Sequence, residues 1–378
     1  MSTAGTADAA ASAGSAGGAL RLTVVGNPDN RRVGLLAAAA AALGLPEPRV
    51  VPWLEVLHDR ARFDVGEVVR IDSPGEDAEV TRLLRGESEP VDMYRVEGTR
   101  AWYEGFVAAL EKLHAKIAEA DAVAIGDPEE TALAFDKARC SAFLAARGVS
   151  VPAAIPQIVD HASLLEYLAD HDNPSGLFVK IRHGSSASGV LHVTRRGKDE
   201  VWVTTSTELH RTADGYELYN SLRVRRYHRE RDVRMIVDRL ALDGLHAEVA
   251  ISKPYLLGGQ TDLRLVTVGG RVTHAVGRSS DLPITNLHLG GRRREIGAFR
   301  ERFGERRWTN VVELAERTAA CFLGSDCLGI DVLSDKDTDY VCEVNAYGDL
   351  LPNLLGLPGT LGEGVDTYTA QLKRLARI

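Results

Sequence analysis

The chain has little with which to build covalent or metal-bound cross-links. It carries 4 cysteines, Cys140, Cys321, Cys327 and Cys342, and no CxxC pair, which argues against a disulfide framework or a cysteine-ligated zinc. Three of the four sit in apolar stretches, as reduced, buried thiols of a cytoplasmic protein would. The histidines show no HExxH or paired ligand spacing, which speaks against zinc, and a GxSxG elbow for a serine hydrolase is missing. Gly26 is followed by NPDNRR and not by GxGxxG, so a dinucleotide-dependent oxidoreductase lacks its fingerprint. No apolar run is long enough to span a bilayer, and even Leu35–Leu45 is short and helical in pattern. Positive charge is also short: with a formal net charge of -8, nothing suggests a general nucleic-acid binder. Residues 1–20 are Ala, Gly, Ser and Thr with one Asp, without the basic start or apolar stretch of a signal peptide, and are expected to be a disordered tail.

What is present is an ordinary globular composition, with 44% hydrophobic and 26% charged residues, in a chain long enough for two or three domains. From Arg21, short β-branched strands alternate with helices (RLTVVG, RVVPW, EVVRIDSPG, AVAIGDP), which predicts a parallel sheet covered by helices over residues 21–130. Asp136 is a plausible cap for KARCSAFLAARG, with Gly148 at its end, and the Pro-punctuated VSVPAAIP marks a boundary near 150. Residues 131–250 read as a smaller α+β unit in which Ser221–Leu242 is expected to be a strongly basic helix, its charge explained by a solvated or substrate-facing surface. HAEVAISKPYL opens a third unit, residues 251–378, of antiparallel type, with LRLVTV-GG-RVTHAV as a hairpin.

The stretch that organises the chain is Leu328–Asn345, LGIDVLSDKDTDYVCEVN, read as a second hairpin. With a loop over Asp335–Asp339, Ser334 pairs with Tyr340. Leu328, Ile330, Val332, Tyr340, Cys342 and Val344 then point to one face. The other face carries Asp331 opposite Glu343, with Asn345 beyond. Facing carboxylates repel unless a cation sits between them, and an all-oxygen set suits Mg²⁺ or Mn²⁺ rather than zinc. A solvated hairpin face explains this stretch equally well by itself.

Three further stretches bear on that choice. Lys180 precedes HGSSASGV, where Gly184–Gly189 gives GxxxxG without the Lys-Ser/Thr of a Walker A loop. Such a loop can offer backbone N–H groups to phosphate, or be an ordinary flexible turn. Arg264 and Arg278 bracket the Gly-Gly hairpin. A two-residue turn pairs Arg264 with Ala275 and leaves Arg278 on the opposite face, so both serve one site only if the strand ends or bulges near Gly277. Asn286 and His288, in ITNLHLGGRR, lie in a polar segment that is either a substrate loop or a connector.

In this order the motifs resemble the ATP-grasp superfamily: FDKARCSAFLAARGVSVP, LFVKIRHGSSASGV, TDLRLVTVGGRVTHAVGR…ITNLHLGG and GIDVL…CEVN, covering about Ala132 to Leu354. The resemblance implies an α/β domain ahead of two ATP-grasp subdomains that clamp ATP between antiparallel sheets. It places Lys137 and Lys180 on the nucleotide phosphates and Ser185, Ser186, Ser188 and Gly189 in the flap over them. Arg264 and Arg278 would neutralise the transferring phosphoryl group, and Asp331, Glu343 and Asn345 would hold Mg²⁺. Ala250, Ile251, Ser252 and Lys253 match the hinge that reads adenine. Members often carry Gln-Glu or Glu there, so Ser252-Lys253 is a departure that leaves the ribose carboxylate unassigned, and Glu248 is a poor substitute by position. The implied activity is a ligase joining a carboxylate to an amine through an acyl phosphate, on small-molecule or peptide substrates, with a homodimer left open. A phosphotransferase on the same fold and a nucleotide-binding regulator without chemistry are the rivals. The complete metal set argues against the regulator.

Overall fold

A computed structural model describes residues 20–197, 200–213, 215–256, 258–347 and 351–378. The expected tail, apart from Leu20, lies outside the described residues.

The first sheet is parallel, in the order β2-β1-β3-β4, from β1 (Leu22–Gly26), β2 (Arg49–Pro52), β3 (Val68–Ile71) and β4 (Val123–Ile125). Its central strands β1 and β3 are buried along their whole length because helices cover both faces. Phe106, Leu110 and Leu113 of helix Thr99–Glu119 pack on Val25 and Val69, while Val33 and Leu36 of helix Arg31–Ala42 pack on Val24 and Val68. The last helix, Thr367–Ala376, returns to this second face with Tyr368, Leu372 and Leu375.

The second sheet is antiparallel, in the order β8-β7-β6-β5-β9: β5 (Leu177–Ile181), β6 (Val190–Arg196), β7 (Glu200–Thr212), β8 (Gly215–Tyr227) and β9 (Leu245–Val249). Leu177, Val179, Leu191 and Val193 bury one face against Leu164 and Leu168 of helix His161–Asp170 and Ile236 and Leu240 of helix Glu230–Ala241. Each such side chain contributes about 1.5–3 kcal/mol on burial. Alternation sends Phe178, Lys180, His192 and Glu248 to the other face.

The third sheet runs β12-β11-β10-β13-β14, from β10 (Gln260–Val268), β11 (Arg271–Ser280), β12 (Arg292–Arg294), β13 (Cys327–Ser334) and β14 (Asp339–Asn345). Leu263, Leu265, Ile330 and Val332 pack on Val311 and Leu314 of helix Glu305–Ala319 and on Cys140 and Leu144 of helix Lys137–Ala146. The opposite face of this sheet turns toward the lysine-bearing face of the second.

Two expectations are corrected here. The basic stretch Ser221–Leu242 is not one helix: through Tyr227 it is strand β8, and the helix begins at Glu230. Tyr, Val and Leu alternate with Arg there, and a paired strand β7 was available to take them. HAEV does not open the third unit either. It is β9, hydrogen-bonded to β5 at the margin of the second sheet, and the third begins at β10.

Candidate active site

Two β-bulges build the site. Between β10 and β11 the register shifts at Val266/Thr267, where Thr273 is the extra residue. Arg264 therefore pairs with Val276, and Asp262 with Arg278. The simple hairpin register, which put Arg278 on the far face, is overturned, and the bulge lies next to the turn rather than near Gly277. Between β13 and β14 the expected register is also wrong at the turn: Ser334 pairs with Asp339, not Tyr340. A second bulge, with Cys342 as the extra residue, then restores Asp331 opposite Glu343. Val341 joins Val332 and Val344 in the core in place of Tyr340 and Cys342. The Tyr340 hydroxyl donates to Asp335 Oδ2 (3.2 Å).

The facing carboxylates are not left to repel. Arg264 holds Asp331 through Nε and through Nη2 to Oδ2 (3.0 Å), and Arg278 Nη2 lies 3.2 Å from the same oxygen. Burial by itself would raise the Asp331 carboxyl; the two guanidinium groups outweigh it and hold it below the usual carboxylate range. Lys137 Nζ sits 2.9 Å from Glu343 Oε1 and also donates to Gly184 O (2.5 Å), tying the Asp331–Glu343 hairpin to the Ser/Gly loop. Glu343 is likewise pushed up by burial and brought below its ordinary value by Lys137, against the opposing charge of Asp331. The Asn345 amide donates to Gly329 O (3.3 Å). Burial, then the neighbouring Asp331 charge, raise the Cys342 thiol.

From the second sheet, Lys180 Nζ reaches Glu248 Oε1 at 2.5 Å, and His246 Nε2 is 3.0 Å from Oε2. The Ser/Gly loop expected to be a flap is a turn, with Ser188 N donating to Ser185 O (2.9 Å). Its central residues Ser186 (φ 53) and Ala187 (φ 61) are left-handed, a conformation costing roughly 1–2 kcal/mol for a non-glycine residue. Gly189 (φ 64) ends it, where a Cβ would meet Ile181 Cγ2 at 2.7 Å.

At the hinge, the Ala250 N–H is taken by Gly176 O (3.0 Å), and Ala250 joins Phe178, Val190, Ile284 and Leu289 in an apolar cluster. Ile251 is half-buried and Ser252 exposed. Lys253 turns its ammonium to Pro283 O (2.5 Å) and Thr285 Oγ1 (3.2 Å), and burial lowers its pKa. Asn286 caps the 3₁₀ turn Leu287–Leu289 by accepting from His288 N (2.8 Å), and the His288 side chain is exposed. Among the described residues neither side chain hydrogen-bonds a member of the charged cluster, although the adjoining Thr285 bonds both Lys253 and Asp262.

Several residues escaped the sequence. Asp262 accepts from Arg278 Nε (2.7 Å) and from the Thr285 hydroxyl; its signal was the i, i+2 spacing to Arg264 on one strand. Asp136 caps helix Lys137–Ala146 and also takes the Arg182 fork at 2.7 and 2.7 Å, a pairing with no local signature. Beside it His183 stacks on Tyr103, with ring centroids 4.0 Å apart. Together the cleft gathers Lys137, Lys180, Lys253, Arg264 and Arg278 with Glu248, Asp262, Asp331 and Glu343.

No family model matches the chain, and no curated protein matches it. Solved structures do. The chain is similar to the ATP-grasp ligase PsnB complexed with minimal precursor (16% identity, 95% of this chain and 99% of that one, TM-score 0.54). The same ligase complexed with a phosphomimetic variant of minimal precursor, Mg and ADP gives 16%, 95%, 98% and 0.51. N5-carboxyaminoimidazole synthase from Aspergillus clavatus, in complex with ADP and 5-aminoimidazole ribonucleotide, gives 14%, 95%, 77% and 0.50. The chain has the ATP-grasp fold. Among the described residues, no helix is long and apolar enough to cross a membrane.

Proposed function

We propose that the protein is an ATP- and Mg²⁺-dependent ligase that joins a carboxylate to an amine and releases ADP and phosphate. The carrying observation is the cleft itself: five cations and two opposed carboxylates, with Lys180, Arg264 and Arg278 on strands, Lys137 at a helix start and Lys253 in a loop. Phosphoryl transfer needs charge neutralisation and positioning more than covalent help, and this cleft is rich in both. Neighbours of the same fold include an ATP-grasp ligase complexed with a phosphomimetic variant of minimal precursor, Mg and ADP, and a synthase in complex with ADP and 5-aminoimidazole ribonucleotide, which supports the reading.

The donor set fits Mg²⁺. Asp331 faces Glu343 across the hairpin and Asn345 lies two positions on, so two carboxylates and an amide carbonyl would be the protein's ligands to the ion. An all-oxygen set of this size would suit Mg²⁺, which takes few protein ligands. When bound, the ion screens phosphate charge. Lys137 and Lys180 then hold the phosphates, each leaving the carboxylate it now neutralises. Arg264 and Arg278 meet the charge on the γ-phosphoryl group as a substrate carboxylate oxygen bonds to its phosphorus and ADP departs. The amine attacks the acyl carbon, phosphate leaves with the C–O bond pair, and the amine proton goes to solvent.

The test is ADP release from ATP and Mg²⁺ with extract fractions, followed by product analysis with and without added amine. A ligase gives an amide only when the amine is present. A phosphorylated product accumulating without amine identifies a phosphotransferase, and no nucleotide binding by calorimetry removes both readings.

A further inference from the structure

The inward-facing rows of the two antiparallel sheets end alike. On the second sheet one cross-strand row runs Glu248, Phe178, His192, Thr204, Arg226 from β9 to β8. On the third, Asp262 pairs with Arg278, and Arg278 with Arg293 on β12. Directly paired residues share a face. Arg226 and Arg293 therefore lie on the two faces that carry the site, each on an outermost strand. The turn Leu287–Leu289, which leads into β12, packs against β8, with Val224 and Leu289 in one apolar cluster. That contact brings the two edges to one mouth of the cleft.

Both arginines are exposed, and among the described residues neither has a carboxylate within ion-pair distance. Arg226 lies over the Trp202 ring (5.7 Å) with Arg196 at 4.7 Å, and Arg293 donates to Pro352 O (2.7 Å). Arg223 and Arg229 flank Arg226 in the same exposed, carboxylate-free state. In a chain of net charge -8 this concentration does not follow from composition. The outer edge of β8 is paired by Tyr94–Val96 along Leu218–Asn220, and among the described residues no further strand pairs that edge over Arg225–Tyr227.

We propose that this mouth seats an acidic peptide segment, so that the carboxylate substrate is one side chain of an Asp/Glu-bearing chain gripped by Arg226 and Arg293. This rests on the ligase reading above. Guanidinium forks take carboxylates bidentately. β8 stands three strand spacings from β5 and Lys180, about 14 Å, which a small diacid cannot bridge and an extended peptide covers in about four or five residues. The unpaired β8 edge over Arg225–Tyr227 adds main-chain partners for such a segment.

The full chain, without nucleotide, is titrated against a fluorescein-labelled Glu-Ser repeat peptide, its Gln-Ser counterpart and a single-stranded oligonucleotide of matched charge, read by anisotropy. Expected is binding of the Glu peptide only. The double variant Arg226→Ala/Arg293→Ala should lose about tenfold or more. Arg226→Lys/Arg293→Lys should recover only part of it, and ATP affinity by calorimetry should be unchanged in both. Equal binding of the Gln peptide, tighter binding of the oligonucleotide, or full affinity in the Ala double variant overturns the proposal. Failure of ATP binding in wild type with intact peptide binding overturns the ligase reading instead.

Discussion

Lys180 and Glu248 close a buried ion pair between strands β5 and β9, Nζ to Oε1 at 2.5 Å, with His246 holding the other oxygen. Burial by itself would raise the Glu248 carboxyl, and Lys180 and His246 bring it below its ordinary value. A lysine expected to contact phosphate is thus engaged by a carboxylate. Two properties follow that can be separated. Lys180→Ala strands a buried carboxylate and should cost about 3–5 kcal/mol. Lys180→Ala/Glu248→Gln should regain most of that stability yet bind ATP as weakly as the single variant. Denaturant unfolding and calorimetry measure the two sides. ATP affinity restored in the double variant would remove Lys180 from the site.

Arg278 touches two carboxylates at once, Asp262 through Nε at 2.7 Å and Asp331 through Nη2 at 3.2 Å. An ammonium at this position keeps the charge but cannot bridge both oxygens. Arg278→Lys should therefore lower kcat by roughly tenfold or more with a smaller effect on the KM for ATP. Steady-state kinetics on both constants give the result; unchanged kcat would mean that the bridge is only structural.

These relationships were unevenly legible in the sequence. Strand and helix alternation was readable throughout the first domain, because period and capping are local. The pairing of Asp331 with Glu343 was also readable, though by two compensating departures, a loop one residue shorter and a bulge at Cys342. Arg278 was misplaced because one residue, Thr273, bulges, and a bulge leaves no residue-type signature when neither neighbour is glycine. Ser221–Tyr227 reads as a helix in sequence because arginine tolerates both conformations, and only the partner β7 decides for a strand. Asp136–Arg182 and Lys180–Glu248 join residues 46 and 68 positions apart, a distance at which no spacing rule operates.

Asp136 gives a pH dependence with a definite sign. It is buried, and although burial pushes its carboxyl up, His183 and Arg182 bring it well below the ordinary aspartate value. A carboxyl depressed in the folded state stabilises the fold above its unfolded pKa of about 3.9, and that contribution is lost as pH falls through the lower folded value. Asp136→Asn should then be less stable than wild type at neutral pH. The difference should hold down to about pH 5, begin to narrow near pH 4 and close only as the pH falls to the lower folded value. Chemical denaturation at a series of pH values measures it, and a difference independent of pH would show that the charge on Asp136 contributes nothing.

Glu343 and Asp331 should respond differently to loss of charge, although they face each other across one pair of strands. Asp331 is held by two guanidinium groups, so Asp331→Asn leaves Arg264 and Arg278 short of a counter-charge inside the protein and should be costly to the fold. Glu343 is half-buried and has Lys137 on one side and the repelling Asp331 on the other. Neutralising it removes one attraction and one repulsion together, and Lys137 keeps its bond to Gly184 O. Glu343→Gln should therefore change stability by no more than about 1 kcal/mol. Its effect on turnover should be of another order, a fall of about a hundredfold or more, since a carboxylate that holds Mg²⁺ against the phosphates acts where charge develops. A solvated hairpin face gives neither effect, and a purely structural ion pair gives the stability loss without selectivity for turnover. The deciding comparison is thermal unfolding without nucleotide beside ADP release with ATP, Mg²⁺ and acceptor, for wild type and both variants. Normal ADP release by Glu343→Gln would remove the metal from this hairpin and most of the ligase reading with it.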